Sequence, residues 1–241
     1  MLESVYVRKS LPAEVAKKAD LLWEMLVKES RLGRRWNVGY GQSRSGRMQC
    51  DFLKGLLCDA GVAERAIRDE VQLPFPGYFQ AERRWDMGLY SGERPVALVE
   101  FKYYTLEYKY QQGRGSILVN DLAFKALDLQ LAAREAGFDR SRLFVGAFVQ
   151  IFWKGRPDFT RDLRRTHHRM MYNWAHTKQD AVRKSLARLP LAGLYDAVMS
   201  MEANCLNGRD VRWWSFPEHD LQQFLDSLLD RLALEGLVRS S

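Results

Sequence analysis

The stretch "RRWDMGLYSGERPVALVEFKYY" (83–104) decides how the rest of the chain is read. Its two runs, "RRWDMGLY" (83–90) and "PVALVEFKYY" (95–104), are joined by "SGE", a hairpin-type turn, and predict two antiparallel strands. Buried strands seldom need charge, yet the second run ends in Glu100 and Lys102, one residue apart, and the first carries Asp86. Side chains alternate along a strand, so Glu100 and Lys102 share one face, and the hairpin returns that face beside Asp86. Two carboxylates on adjacent strands can share one hard cation through oxygen ligands, an arrangement that suits Mg²⁺ with its remaining water and phosphate ligands. A lysine beside them can orient or help deprotonate a metal-bound water and stabilise charge on a phosphate.

Working outward, "DEVQLPF" (69–75) predicts a strand ahead of the hairpin and completes an antiparallel meander. Further upstream, residues 12–31 space Val15, Ala19, Leu22 and Leu26 as a helix does. The Gly-, Ser- and Arg-rich "GRRWNVGYGQSRSGRMQ" reads as an exposed basic loop leading into a second helix at about 47–59, closed by Gly61. Downstream, a helix at about 117–136 ends at Gly137, and "RLFVGAFVQIFW" (142–153) is an apolar run suited to a strand buried on both faces. Strand, helix, strand in that order implies a right-handed crossover and a mixed sheet. From 160 onward three segments predict helices: "RDLRRTHHRMMYNWAHTKQDAVRKSLARL", "LAGLYDAVMSMEANCL" and "EHDLQQFLDSLLDRLALEG". The expected fold class is α/β, a central mixed β-sheet flanked by helices, with a mostly helical C-terminal part at about 160–241. No repeat, low-complexity tract or linker divides the chain, so residues 1–241 are expected to form a single domain with its core at about 47–153.

With 241 residues, 46% of them hydrophobic, the chain can bury a full core without a disulfide or metal staple. Its formal charge of +7 favours a polyanionic partner. Cys50, Cys58 and Cys205 fit neither a zinc module nor a disulfide framework, which predicts reduced core residues in a cytoplasmic protein. The N-terminal "MLESVYVRKSLPAEVAKKAD" lacks the apolar segment of a signal peptide, and no run is long enough to span a membrane.

Asp86, then thirteen residues, then Glu100-Phe101-Lys102, resembles the active-site signature of the PD-(D/E)xK nuclease superfamily, to which many type II restriction endonucleases belong. In that family the motif sits on a β-hairpin, is preceded by a helix and a strand, and is followed by a helix and a buried strand, the order expected here over 47–153. Trp85 stands where the family often has proline, which leaves the carboxylate untouched. The resemblance implies a restriction-endonuclease-like core in which Asp86 and Glu100 hold Mg²⁺, the Phe101 carbonyl is a further ligand, and Lys102 positions the attacking water. It also implies sequence-specific hydrolysis of double-stranded DNA to 5′-phosphate and 3′-hydroxyl ends, by a homodimer with one site per strand. Family members often add an upstream acid; Glu70 is the candidate here, with Glu64 and Glu82 behind it. A second acid-x-lysine triplet, Glu107-Tyr108-Lys109, follows no apolar strand core, and on an unbroken strand it faces the opposite way.

Basic and amide side chains that can reach phosphates or base edges fall in three places. They are Arg44 and Arg47, then Lys109, Gln112 and Arg114, and finally Arg164 and Arg165 on a basic helix that also carries His167, His168 and His176. The histidines lie at the spacing of one continuous helix, without the hairpin of a His-Asn-His nuclease or the cysteine pair of a zinc module. Asp121, Lys125 and Asp128 read as charge pairs on the surface of the helix after the motif. Two rival functions share the site or the fold. One is a nuclease of repair, junction resolution or phage defence without fixed sequence specificity, and the other is a DNA-binding protein that does not cut.

Overall fold

Six strands pair side by side in chain order: β1 (Ile67–Gln72), β2 (Arg84–Ser91), β3 (Arg94–Glu107), β4 (Phe144–Lys154), β5 (Ala197–Cys205) and β6 (Val211–Ser215). The computed structural model describes residues 12–32, 39–107, 114–154, 178–205, 211–215 and 220–238. β1, β2 and β3 form the expected antiparallel meander, β3, β4 and β5 run parallel, and β6 closes the sheet antiparallel to β5. Parallel neighbours require a crossover, and helix α3 (Arg114–Glu135) lies on the β3–β4 connection while α4 (Lys178–Leu191) lies on the β4–β5 connection. Helices α1 (Ala13–Leu32), α2 (Gly39–Asp59) and α5 (Leu221–Leu234) complete an α/β fold with a mixed sheet between helices.

Alternation along the strands divides the core in two. Phe101, Phe148, Met199 and Met201 face one side and pack with Leu22, Leu53, Leu57 and Leu228 from α1, α2 and α5. Leu98, Val145, Val149 and Val198 face the other and pack with Leu118, Leu122 and Leu186 from α3 and α4. β4 is buried on both faces, as its unbroken apolar run requires. The stripe Leu221, Leu225, Leu228 and Leu232 of α5 is buried in the first of these clusters, each side chain adding about 1.5–3 kcal/mol of burial.

Three expectations are corrected. "LAGLYDAVMSMEANCL" is not a helix: after the turn at Gly193 (φ 68°) it becomes β5, so the C-terminal part adds two strands to the same sheet. Met, Ala and Glu favour helix locally, but Val198, Ser200 and Glu202 alternate with Met199, Met201 and Ala203, and pairing with both β4 and β6 overrides propensity. The segment expected as a basic loop is helical from Gly39, because once 48–59 packs on the sheet, each added turn gains a hydrogen bond per residue. Cys50 is buried, but Cys58 is exposed on the outer face of α2. Among the described residues no helix is long and apolar enough to cross a membrane.

Candidate active site

Gly92, at φ 63°, makes the tight turn between β2 and β3. The two strands pair from Ser91↔Arg94 as far as Met87↔Val99 and no further. Beyond that point β2 pairs only with β1, and β3 only with β4. Asp86 and Glu100 stand at the place where the strands part. The Phe101 N–H, freed there from the ladder, donates to Asp86 Oδ2 at 2.7 Å. Lys102 Nζ meets Glu100 Oε1 at 2.7 Å, so the three residues singled out by spacing come together on the α3 side of the sheet.

Helix α3 adds a second cation. Lys125 Nζ contacts Glu100 Oε2 and lies 4.8 Å over the Trp85 ring, which is itself fully buried. The Glu100 side chain is 3% exposed and therefore carries an ammonium group on each oxygen in a nearly dry pocket. Burial pushes the Asp86 carboxyl up to about 6, with the Glu100 charge adding to the effect and Lys125 opposing it. Burial works in the same direction on Glu100, but the Lys125 and Lys102 ammonium groups outweigh it and hold that carboxyl below its ordinary value. The two lysines diverge. For Lys102, burial is outweighed by the carboxylates of Glu100 and Asp86 and the ammonium is held more firmly than usual; for Lys125, the more buried of the two, desolvation wins and the proton is held less firmly.

Two further polar groups brace this arrangement. Gln49 of α2 is fully buried and donates from Nε2 to the Lys102 carbonyl at 3.2 Å, fixing the strand beneath the lysine. Asp128, one turn beyond Lys125 and also fully buried, accepts the Phe79 N–H at 2.6 Å and faces Arg83 Nε at 3.1 Å. It thereby ties the 73–83 segment, which leads into β2, onto α3. A Cβ at Gly77 would lie 2.2 Å from the Gln80 carbonyl oxygen and 2.7 Å from Asp128 Oδ2, so glycine is needed for that approach.

The expected upstream acids do not join the cluster. Glu70 is exposed, sits at φ 49° in β1 and lies 4.0 Å from Arg84, while Glu64 pairs with Lys54 at 3.0 Å and Glu82 is exposed. The positive φ breaks the β1 alternation and turns Glu70 outward. Asp69 is instead the β1 acid facing α2, where it accepts the Cys50 thiol at 3.1 Å. Burial, with the Asp69 hydrogen bond, raises that thiol far above its usual range and keeps it unreactive. Among the described residues no three His, Cys, Asp or Glu side chains gather as a metal cage.

The reading of Asp121, Lys125 and Asp128 as surface pairs is also corrected. Only Asp121 is exposed, accepting Tyr104 Oη at 3.2 Å. The signal that places Lys125 was present: it lies at helical spacing with Leu118, Leu122 and Leu129, all buried against the sheet. Of the residues expected to contact nucleic acid, Arg47 is exposed on α2, and Arg44 and Arg114 fall within α2 and α3. Lys109, Gln112, Arg164 and Arg165 lie outside the described residues, as do His167, His168 and His176. No family model, curated protein or solved structure matches this chain.

Proposed function

We propose that this chain is a metal-dependent deoxyribonuclease of the PD-(D/E)xK type, and within it a type II restriction endonuclease that cuts double-stranded DNA at a fixed sequence. The observation that carries the reading is the meeting of Asp86, Glu100 and Lys102 where β2 and β3 part, on a run of elements α2, β1, β2, β3, α3, β4 in the order the family uses. The residues fit a hard divalent cation. Two carboxylates press together in a buried notch, and the one that resists ionisation, Asp86, is relieved by added positive charge. An extended residue turns its N–H and C=O to the same strand edge, so the Phe101 carbonyl lies on the Asp86 side. Asp86, Glu100 and that carbonyl would hold Mg²⁺, which keeps water and phosphate oxygens as its other ligands. Bound there, the ion supplies Lewis-acid activation of a water and of the scissile phosphate.

Lys102, held against Glu100 and anchored through its own carbonyl by Gln49, orients the attacking water and stabilises negative charge on the phosphate. In-line attack with departure of the 3′-oxygen leaves 5′-phosphate and 3′-hydroxyl ends. The net charge of +7 and the exposed Arg47 support a phosphate-backbone contact, to which Arg44, Lys109, Gln112, Arg114, Arg164 and Arg165 are assigned as further contributors. A duplex has two strands to cut, so the working assembly is a homodimer.

The test is incubation of purified protein with phage DNA in Mg²⁺ or EDTA, beside the Asp86→Ala and Lys102→Ala variants. Discrete Mg²⁺-dependent fragments lost in both variants are expected. A smear would keep the site but move the function to a nuclease without fixed sequence specificity. Intact DNA across several substrates and metals would leave a non-cutting DNA-binding protein as the better account.

A further inference from the structure

We infer that Lys125 is the resident counter-ion of the carboxylate pair: its ammonium and a divalent cation compete for Asp86 and Glu100, and the metal enters as Lys125 swings out. The inference rests on the metal-site reading above and adds a residue that neither spacing nor the motif assigns. The site brings together two carboxylates and two ammonium groups, whose formal charges cancel. A divalent ion entering with no departure would leave two uncompensated positive charges in a pocket where the Glu100 side chain is 3% exposed, which a low local dielectric strongly disfavours.

One ammonium must therefore leave, and the geometry selects Lys125. Lys102 extends from the same strand as Glu100, and its backbone is tied to α2 through Gln49. Lys125 reaches Glu100 from a different element, α3, on a flexible four-carbon stem. Its ammonium also feels the Asp86 charge, which an entering ion would take over together with Glu100, and meets the Trp85 ring, a weak partner beside a divalent charge. A landing place exists outside. Asp121 lies one helical turn before Lys125 on the same helix and is exposed, at the spacing where a lysine and a carboxylate pair on a helix surface. The lysine thus fills the notch with positive charge while no metal is bound and surrenders it when one arrives.

The test is Mn²⁺ binding by titration calorimetry at pH 7.5, without nucleic acid, for the full chain and for the Lys125→Met, Lys125→Arg and Asp86→Asn variants. Removing the competing charge in Lys125→Met is expected to tighten Mn²⁺ roughly ten- to a hundredfold, the scale on which one adjacent charge biases a carboxylate. Lys125→Arg keeps the charge and should stay near the parent affinity. Equal or weaker binding by Lys125→Met would overturn the competition while leaving the metal site standing. Absence of Mn²⁺ binding in both parent and Lys125→Met, or binding indifferent to Asp86→Asn, would remove the metal site itself and the competition with it. A second measurement needs no variant: acetylation of Lys125 by a lysine-reactive ester, read by mass spectrometry, should increase when Mn²⁺ saturates the protein. Unchanged or reduced acetylation of Lys125 would count against the exchange.

Discussion

Two buried glutamates on the same face of the sheet behave as opposites. Glu202 of β5 is fully buried and accepts from Trp153 Nε1 at 2.6 Å, Gln179 Nε2 at 2.5 Å and Arg183 Nε at 3.1 Å. Its donors come from β4 and α4, so the carboxylate joins three elements. Glu100 of β3 is as deeply buried, but it stands against another carboxylate, and each of its oxygens meets a lysine ammonium group. An indole, an amide and a guanidinium around the Glu202 carboxylate satisfy it in place. Two acids and two lysines crowded together leave charge that can be rearranged, and strain of that kind concentrates at working sites. Burial alone therefore does not distinguish the two carboxylates; the like charge of Asp86 beside Glu100 does.

The sharpest way to break this comparison is catalytic. Lys102→Ala should lower Mg²⁺-dependent cleavage by about 10²–10⁴-fold, whereas Glu202→Gln should leave the rate within a small factor of the parent, as read by initial rates on one DNA substrate. The next effect is on stability and falls on the other glutamate. Glu202→Ala removes the buried acceptor shared by Trp153, Gln179 and Arg183 and should cost about 3–5 kcal/mol, lowering the Tm by roughly 6–20 °C in a thermal melt.

Asp86→Asn should do the reverse and stabilise the fold while removing activity. An acid whose folded pKa is raised contributes its stability below the unfolded value, and that contribution is lost as pH rises through the folded value, here about 6. The parent should therefore lose at most about 3 kcal/mol between roughly pH 4 and 6, and the asparagine variant should lack that decline in denaturant titrations across the range. Smallest is Gln49→Ala, which removes one buried hydrogen bond beneath Lys102 and should cost about 0.5–1.5 kcal/mol. A larger loss of activity than of stability in that variant would show that the amide positions the lysine.

The meeting of Asp86, Glu100 and Lys102 was legible in the chain, and the setting of Glu202 was not. A turn of "SGE" between two apolar runs, with charges at period two, was enough to bring Asp86, Glu100 and Lys102 together, because hairpin register is set locally. Glu202 was hidden because the Met, Ala and Glu residues of β5 favour helix and its strand character comes from pairing with β4 and β6. Lys125 and Asp128 differ from a surface charge ladder in what shares their face: Lys125 is in register with the buried Leu118, Leu122 and Leu129, whereas the burial of Asp128 shows only in its partners, Phe79 and Arg83. Glu70 lies exposed near Arg84 because its positive φ breaks the strand alternation on which its expected place at the site relied.

The most direct measurement is the cleavage of one DNA substrate in Mg²⁺ by two matched variants, Glu100→Gln and Glu202→Gln, each confirmed as folded by its circular dichroism spectrum. Loss of cleavage in the first with retention in the second is the predicted result. Cleavage retained by Glu100→Gln, or lost equally in both folded variants, would contradict the assignment of the Asp86 and Glu100 notch as the working site.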